Sequence, residues 1–233
     1  DGDALTYSIS GGSEITATVD GATVSFTASS NFNGSESFTA TVTDDQLSSS
    51  QAFTVTVTAV NDAPTANAAS GTVAEDGSVV VTLLGDDIDG DNLTFSSGAA
   101  SNGTVELEGA LATYTPSADY NGSDSFTFSV SDGEYSATAT VTITISAVND
   151  APTLAAVDTV SFDEDGSGST TLTGSDIDSN SLTYSVSTGT DITATIEGAA
   201  VSFSATDNFN GSETFTATVS DGEYTSSQTF TVT

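Results

Sequence analysis

Apolar and polar residues alternate along most of the chain. Phe126-Thr127-Phe128-Ser129-Val130 and Val141-Thr142-Ile143-Thr144-Ile145 keep a period of two, which turns one set of side chains toward a core and the other toward water. Helical spacing is absent, and no apolar run reaches the ~18 residues of a membrane span. Within residues 61–148 the pattern predicts seven strands, A to G, near 66–73, 78–84, 92–97, 103–108, 111–115, 124–131 and 135–146. Turn signals separate them: Glu75-Asp76-Gly77, Asp89-Gly90-Asp91, Glu108-Gly109, Asn121-Gly122 and Asp132-Gly133. Seven short strands of this kind read as an immunoglobulin-like β-sandwich. Phe95, Tyr114, Tyr120, Phe126 and Phe128 are expected to supply the bulk of its core.

The pattern also recurs on a longer scale. Val60-Asn61-Asp62-Ala63-Pro64 returns as Val148-Asn149-Asp150-Ala151-Pro152, a shift of 88. Asn33-Gly34-Ser35 returns at Asn121 and at Asn210, and Glu75-Asp76-Gly77-Ser78 returns as Glu164-Asp165-Gly166-Ser167. Asp1-Gly2-Asp3-Ala4-Leu5-Thr6-Tyr7 matches Asp89-Gly90-Asp91-Asn92-Leu93-Thr94-Phe95 and, more loosely, the segment from Asp178 to Tyr184. The expected organisation is a partial repeat over 1–60 lacking its first strands, a complete repeat over 61–148 and a nearly complete one over 149–233. The expected fold class is all-β: tandem seven-stranded Greek-key sandwiches arranged end to end, in a chain cut from a longer array.

Composition narrows the chemistry. The 233 residues carry 33 Asp and Glu against no Lys, Arg or His, a net charge of −33, and there is no Cys. Nucleic-acid and anionic-membrane partners are excluded, because both need basic side chains. Catalysis by Ser–His, Cys–His or a Schiff-base lysine is excluded, as are zinc fingers, iron–sulfur sites and disulfides. Ser and Thr make up roughly a third of the chain and cover the solvated strand faces. The remaining ligands are carboxylate, amide, hydroxyl and backbone oxygens, the set that suits a hard cation, above all Ca²⁺.

Seven alternating strands sort their loops to two ends. Asp87, Asp89 and Asp91 in the B–C loop and Asp132 in the F–G loop face the preceding linker, Asn61-Asp62. Glu75 and Asp76 in the A–B turn, and Asp119 before the E–F turn, face the following linker, Asn149-Asp150. Asp176, Asp178 and Asp221 approach that linker from the next repeat. Such a group of carboxylates repels itself strongly unless a cation sits among them. These fourteen residues are the candidate metal ligands, with one or more Ca²⁺ expected per junction.

The Asn-Asp-Ala-Pro linkers, the Asp-x-Asp of the B–C loop and the Glu of the A–B turn resemble cadherin repeats. The whole motif set is similar to the bacterial cadherin-like tandem repeats of large secreted adhesins of the RTX type. That set comprises Val-Asn-Asp-Ala-Pro, Glu-Asp-Gly, Asp-x-Asp-Gly-Asp-x-Leu-Thr and Asn-Gly-Ser followed by Ser-Asp-Gly-Glu. The resemblance implies calcium held between domains by the linker Asn-Asp, the Asp-x-Asp of the next domain and the Glu of the previous one. Two departures stand out. Asp44-Asp45-Gln46 replaces Asp132-Gly133-Glu134, and Ser179-Asn180-Ser181 replaces Gly90-Asp91-Asn92, so the second junction is expected to have fewer B–C ligands.

The reading that follows is a non-enzymatic, calcium-stiffened spacer or stalk of a bacterial surface adhesin or fibre, extracellular, in marine or saline surroundings, supporting adhesion or biofilm. Its expected partners are calcium, neighbouring repeats of the same chain and neighbouring subunits of a fibre. One alternative is a repeat of a multichain extracellular filament or sheath. Another is a carbohydrate-binding accessory module, for which Tyr135 and Tyr224 are the available aromatic platforms in a chain without Trp.

Overall fold

A computed structural model describes residues 2–233; Asp1, which opens the first loop motif, lies outside the described residues. The described residues contain strands and no helix. The first repeat holds β1 (Thr6–Gly11), β2 (Ile15–Asp20), β3 (Thr23–Ala28), β4 (Gly34–Thr43) and β5 (Ser48–Val57). The second holds β6 (Thr65–Asn67), β7 (Ala69–Ala74), β8 (Val79–Thr82), β9 (Leu84–Asp86), β10 (Thr94–Ser97), β11 (Gly103–Glu108), β12 (Leu111–Pro116), β13 (Gly122–Ser131) and β14 (Ser136–Ser146). The third holds β15 (Thr153–Leu154), β16 (Ser167–Thr171), β17 (Gly174–Ser175), β18 (Thr183–Val186), β19 (Ile192–Glu197), β20 (Ala200–Ala205), β21 (Glu213–Ser220) and β22 (Thr225–Val232).

The second repeat packs a sheet in the order β10-β13-β14-β7 with one in the order β11-β12-β8, and a short β6-β9 ladder completes it. The expected strands A and B are each broken in two. β8 pairs with β12, whereas β9 pairs with β6. Leu83 marks the break: its N–H donates to Ala110 O at 2.8 Å and its side chain is buried, which turns the strand out of one ladder and into another. The third repeat has the same bend, with Leu172 N–H donating to Ala199 O at 2.8 Å. Its sheets run β16-β20-β19 and β18-β21-β22, with β15 on β17 and a parallel bridge from Val160 to Val232. Among the described residues the first repeat has only β1-β4-β5 and the hairpin β2-β3. In each repeat one hairpin turns at a glycine in the left-handed region, Gly21, Gly109 and Gly198, with φ of 57°, 60° and 60°.

Contacts divide the chain into two compact units. One takes the chain through Val73, then Ser78–Pro116 and Ser123–Thr144; the other takes Ala74–Gly77, Ser117–Gly122 and Ile145–Thr233. In the first unit Tyr114 stacks on Phe126 at 6.5 Å, and Tyr114, Phe126 and Phe128 are buried as expected. Phe95 is only half-buried, a correction to the expected core. Tyr120 is half-buried as well. In the second unit Phe203, Phe215 and Phe230 meet at 5.3, 5.8 and 6.0 Å. Outward strand positions carry hydroxyls that pair across the ladder, as Thr41 with Ser50 and Thr218 with Ser227, each at 2.8 Å.

Candidate metal centres

The first acidic site lies within the first unit. The B–C loop closes on Asp87, whose Oδ1 accepts the N–H groups of Asp89 at 2.9 Å and Asp91 at 3.4 Å. This Asx turn folds the loop so that carboxylate oxygens of Asp87, Asp89 and Asp91 all lie within 4.8 Å of one another. The linker is tied to the same place: Asp62 N–H donates to Asp89 Oδ2 at 2.7 Å, and Asn61 Nδ2 donates to Asp132 Oδ2 at 2.9 Å. The F–G loop repeats the device, with Asp132 Oδ1 accepting Glu134 N–H at 2.7 Å and Tyr135 N–H at 2.6 Å. Burial pushes the Asp132 carboxyl up, but the Tyr135 amide, the Asn61 side chain and the Glu134 amide outweigh it, so its pKa falls below the ordinary 3.8.

The second site lies within the second unit and repeats these bonds one repeat later. Asp150 N–H donates to Asp178 Oδ2 and Asn149 Nδ2 to Asp221 Oδ2, both at 2.8 Å. Asp176 Oδ1 accepts Asp178 N–H at 2.8 Å and Ser179 N–H at 2.7 Å. Here the A–B turn joins in. Glu75 is 3% exposed, its N–H donates to Ser146 O at 3.1 Å, one carboxylate oxygen accepts Val148 N–H and the other accepts Asn121 Nδ2 at 3.2 Å. Asn121 was legible only as a turn residue; its return at Asn33 and Asn210 was the signal that it does more.

The electrostatics converge on Asp150. Loss of solvent is the main cause pushing its pKa above 3.8, and repulsion from Asp76, Asp119, Asp178 and Glu75 adds to it. Of the eight residues expected at the second junction, Glu75, Asn149, Asp150, Asp176, Asp178 and Asp221 take part in these hydrogen bonds, and Asp76 and Asp119 act on Asp150 through repulsion alone. The six expected at the first junction are linked by hydrogen bonds and by the carboxylate cluster. Three oxygens stand out. Asp87 Oδ2, Asp150 Oδ2 and Asp176 Oδ2 are shielded from solvent and accept no hydrogen bond. In both B–C loops Oδ1 binds the loop's own amides, while Oδ2 is left without a donor. A buried acceptor with no donor is costly, and a carboxylate most of all. The donor set fits a hard cation, which takes oxygens only.

One acid per repeat does a different job. Glu36 accepts the N–H groups of Ser13, Glu14 and Ile15; Glu213 accepts those of Thr190, Asp191 and Ile192; Asp124 accepts those of Ser101, Asn102 and Ser125. Each pins the loop that enters the hairpin. The Glu14 amide, then the Ser13 hydroxyl, lower the Glu36 pKa to about 2. Asp124 also accepts the Tyr114 hydroxyl at 2.8 Å.

A sequence model of the bacterial Ig domain matches residues 1–58, 61–144 and 149–233. The chain belongs to the bacterial Ig domain family. No curated protein matches these Ig repeats in sequence. Among solved structures they are similar to Drosophila N-cadherin EC1-4 (TM-score 0.55, 15% identity, 100% of this chain and 66% of that one). They are also similar to mouse cadherin-23 EC22-24 (TM-score 0.59, 17% identity, 100% and 88%) and mouse protocadherin-24 EC1-3 (0.58, 16%, 98% and 89%). At such identities the likeness is one of fold: tandem all-β Ig repeats built like cadherin repeats.

Proposed function

We propose that these Ig repeats form a calcium-stiffened, non-catalytic extracellular spacer of a larger surface adhesin or fibre, with Ca²⁺ held at both linkers. The observation that carries the reading is the set of three shielded, donorless carboxylate oxygens in a chain with no basic side chain. At the second linker Asp76, Asp119, Asp150, Asp176, Asp178 and the Asn149 side-chain oxygen would hold the ion, with Asp221 and Glu75 positioning the linker. At the first, Asp62, Asp87, Asp89, Asp91 and Asp132 would do so, with Asn61 bracing Asp132. Calcium supplies the positive charge that the chain lacks. The repeats that the fold resembles are extracellular modules of cadherins, which supports an extracellular setting, and no helix among the described residues is long and apolar enough to cross a membrane.

Calorimetric titration tests the reading. Calcium is expected to bind with saturable heat, and Asp150→Asn together with Asp176→Asn is expected to weaken the second-linker site by at least about tenfold. Solution scattering recorded with ~5 mM Ca²⁺ and then with chelator is expected to differ. Unchanged scattering and no binding heat would overturn calcium stiffening.

A further inference from the structure

Outward strand positions in this chain mostly carry Ser or Thr, and one face of the second repeat departs from that rule. The inner face of the sheet β11-β12-β8 is sealed by Val81, Ala112 and Tyr114. Register fixes the outer face. Val80 lies opposite Thr113 and Thr113 opposite Glu106; Thr82 lies opposite Leu111 and Leu111 opposite Glu108. Alternation continues through the bend, because Leu83 is buried and a Cβ on Gly85 would meet the Val130 side chain. Val80, Thr82, Leu84 and Asp86 therefore form one outward row. Val80, Leu84 and Leu111 are 57%, 52% and 45% exposed. Leu111 sits beside Thr82, midway between the other two, so the three make one apolar patch.

The third repeat has the same sheet, β16-β20-β19, and folds without this patch. Ser169 stands where the second repeat has Val80, Thr173 where it has Leu84 and Ala200 where it has Leu111. The acids differ as well. Thr195 stands for Glu106 and Ser175 for Asp86, while Glu197 matches Glu108. The first repeat has Thr23 at the Leu111 position and Thr18 at the Glu106 position. Three aliphatic groups and two carboxylates on this face are thus extra to what the sandwich needs.

We propose that the outer face of β8, β12 and β11 is a docking surface for a basic, amphipathic α-helix of another protein. Charge selects the occupant. Asp86, Glu106 and Glu108 rim the patch, and the chain has no basic side chain to pair with them. A segment that covers the patch has to bring cations, and a second copy of this chain brings none. Shape selects a helix. Val80 and Leu84 are four residues apart, about 13 Å at ~3.3 Å per residue, and Leu111 is offset by one strand spacing of ~4.8 Å. Apolar residues at i, i+4 and i+8 of a helix span about 12 Å along one stripe. That stripe lies on Val80, Leu111 and Leu84. Glu106 and Glu108 stand one strand beyond Leu111, within reach of Lys or Arg on the flank of the helix. The surface lies within one repeat and does not depend on the calcium reading above.

The probes are two synthetic Leu/Lys peptides of one composition, one with its leucines at helical spacing and one with strict alternation, each added to the full chain. With the helical peptide, hydrogen exchange is expected to slow at least about fivefold at amides of β8 and β12, with β16 and β20 unchanged. Val80→Ser, Leu84→Thr and Leu111→Ala together give this face the residues of the third repeat. They are expected to weaken binding at least about tenfold. The converse set, Ser169→Val, Thr173→Leu, Thr195→Glu and Ala200→Leu, is expected to create a second site on β16 and β20. No binding, protection spread evenly over all three repeats, or binding unchanged in the triple variant overturns the surface, the last two because net charge alone then holds the peptide. Protection by the alternating peptide alone overturns the helix in favour of a strand on the edge of β8. A dimer in sedimentation that the triple variant abolishes overturns the basic partner in favour of a second copy.

Discussion

At the residue scale the three repeats solve one packing problem in two ways. Ile15, Phe26 and Glu36 occupy one corner of the first repeat, and Ile192, Phe203 and Glu213 the same corner of the third. The second repeat has Gly103, Tyr114 and Asp124. The Tyr hydroxyl reaches the shorter acid, and a Cβ on Gly103 would lie 2.6 Å from the Tyr114 ring and hydroxyl. Tyr114→Phe is therefore expected to destabilise this repeat by about 1.5–3 kcal/mol, since it removes a bond to a charged group. Gly103→Ile alone is expected to cost about 1–3 kcal/mol through overpacking. The triple change to Ile, Phe and Glu is expected to recover most of both losses, as urea unfolding would show by non-additivity. Acid sensitivity belongs to the same residues. Backbone amides hold Glu36 near 2 and keep Glu213 below its ordinary range; at Asp124 burial opposes them and loses. Folded values below unfolded ones mean that this stability is present above the ordinary 4.5 and 3.8 and is lost as pH falls toward the folded values. Urea midpoints should therefore drop between about pH 5 and pH 2, and Glu36→Gln should flatten that decline. These acids were hidden because the loop amides they pin, at Ser13, Asn102 and Asp191, lie more than twenty residues away. The available signal was phase: Glu36, Asp124 and Glu213 fall in step with the inward Phe38, Phe126 and Phe215.

At the scale of the element, the turns and linkers carry the acidic sites and the strands hold them in place. Strand existence was legible, because period two and Asp-Gly or Asn-Gly turns are local properties. The breaks in strands A and B were not, because the Leu83 bend depends on a bond to Ala110 in another hairpin. The acids of both linkers were legible from their recurrence; the division of labour within each Asp, one oxygen for the loop and one left free, needed coordinates. Asp150 runs opposite to the pinned acids. Its raised pKa means that, without metal, this group favours the folded linker below 3.8 and disfavours it as pH rises through the raised value. Calcium binding at the second linker is accordingly expected to release protons near that range and to weaken as pH falls, which calorimetry in buffers of different ionisation enthalpy would detect.

At the scale of the whole molecule, charge sets the conditions under which the fold holds. A chain with net charge −33 is expected to melt at higher temperature as NaCl rises from about 10 to 500 mM in chelator, because the screening length shrinks from roughly 30 Å to a few ångströms. Calcium bound as proposed would neutralise the linker acids, so with Ca²⁺ present the slope is expected to be shallower; scanning fluorimetry reads both. The corner that pairs Gly103 with Tyr114 and Asp124 has a consequence for how such a gene can change. Tandem repeats that share motifs at a fixed spacing allow unequal recombination, and a crossover in the linker passes on intact corners. One falling between residues 15 and 26 of the first repeat and the matching 103 and 114 of the second joins an isoleucine to a tyrosine that needs its space. Repeats of this chain can thus be duplicated or deleted whole, while mosaics that split the corner are selected against.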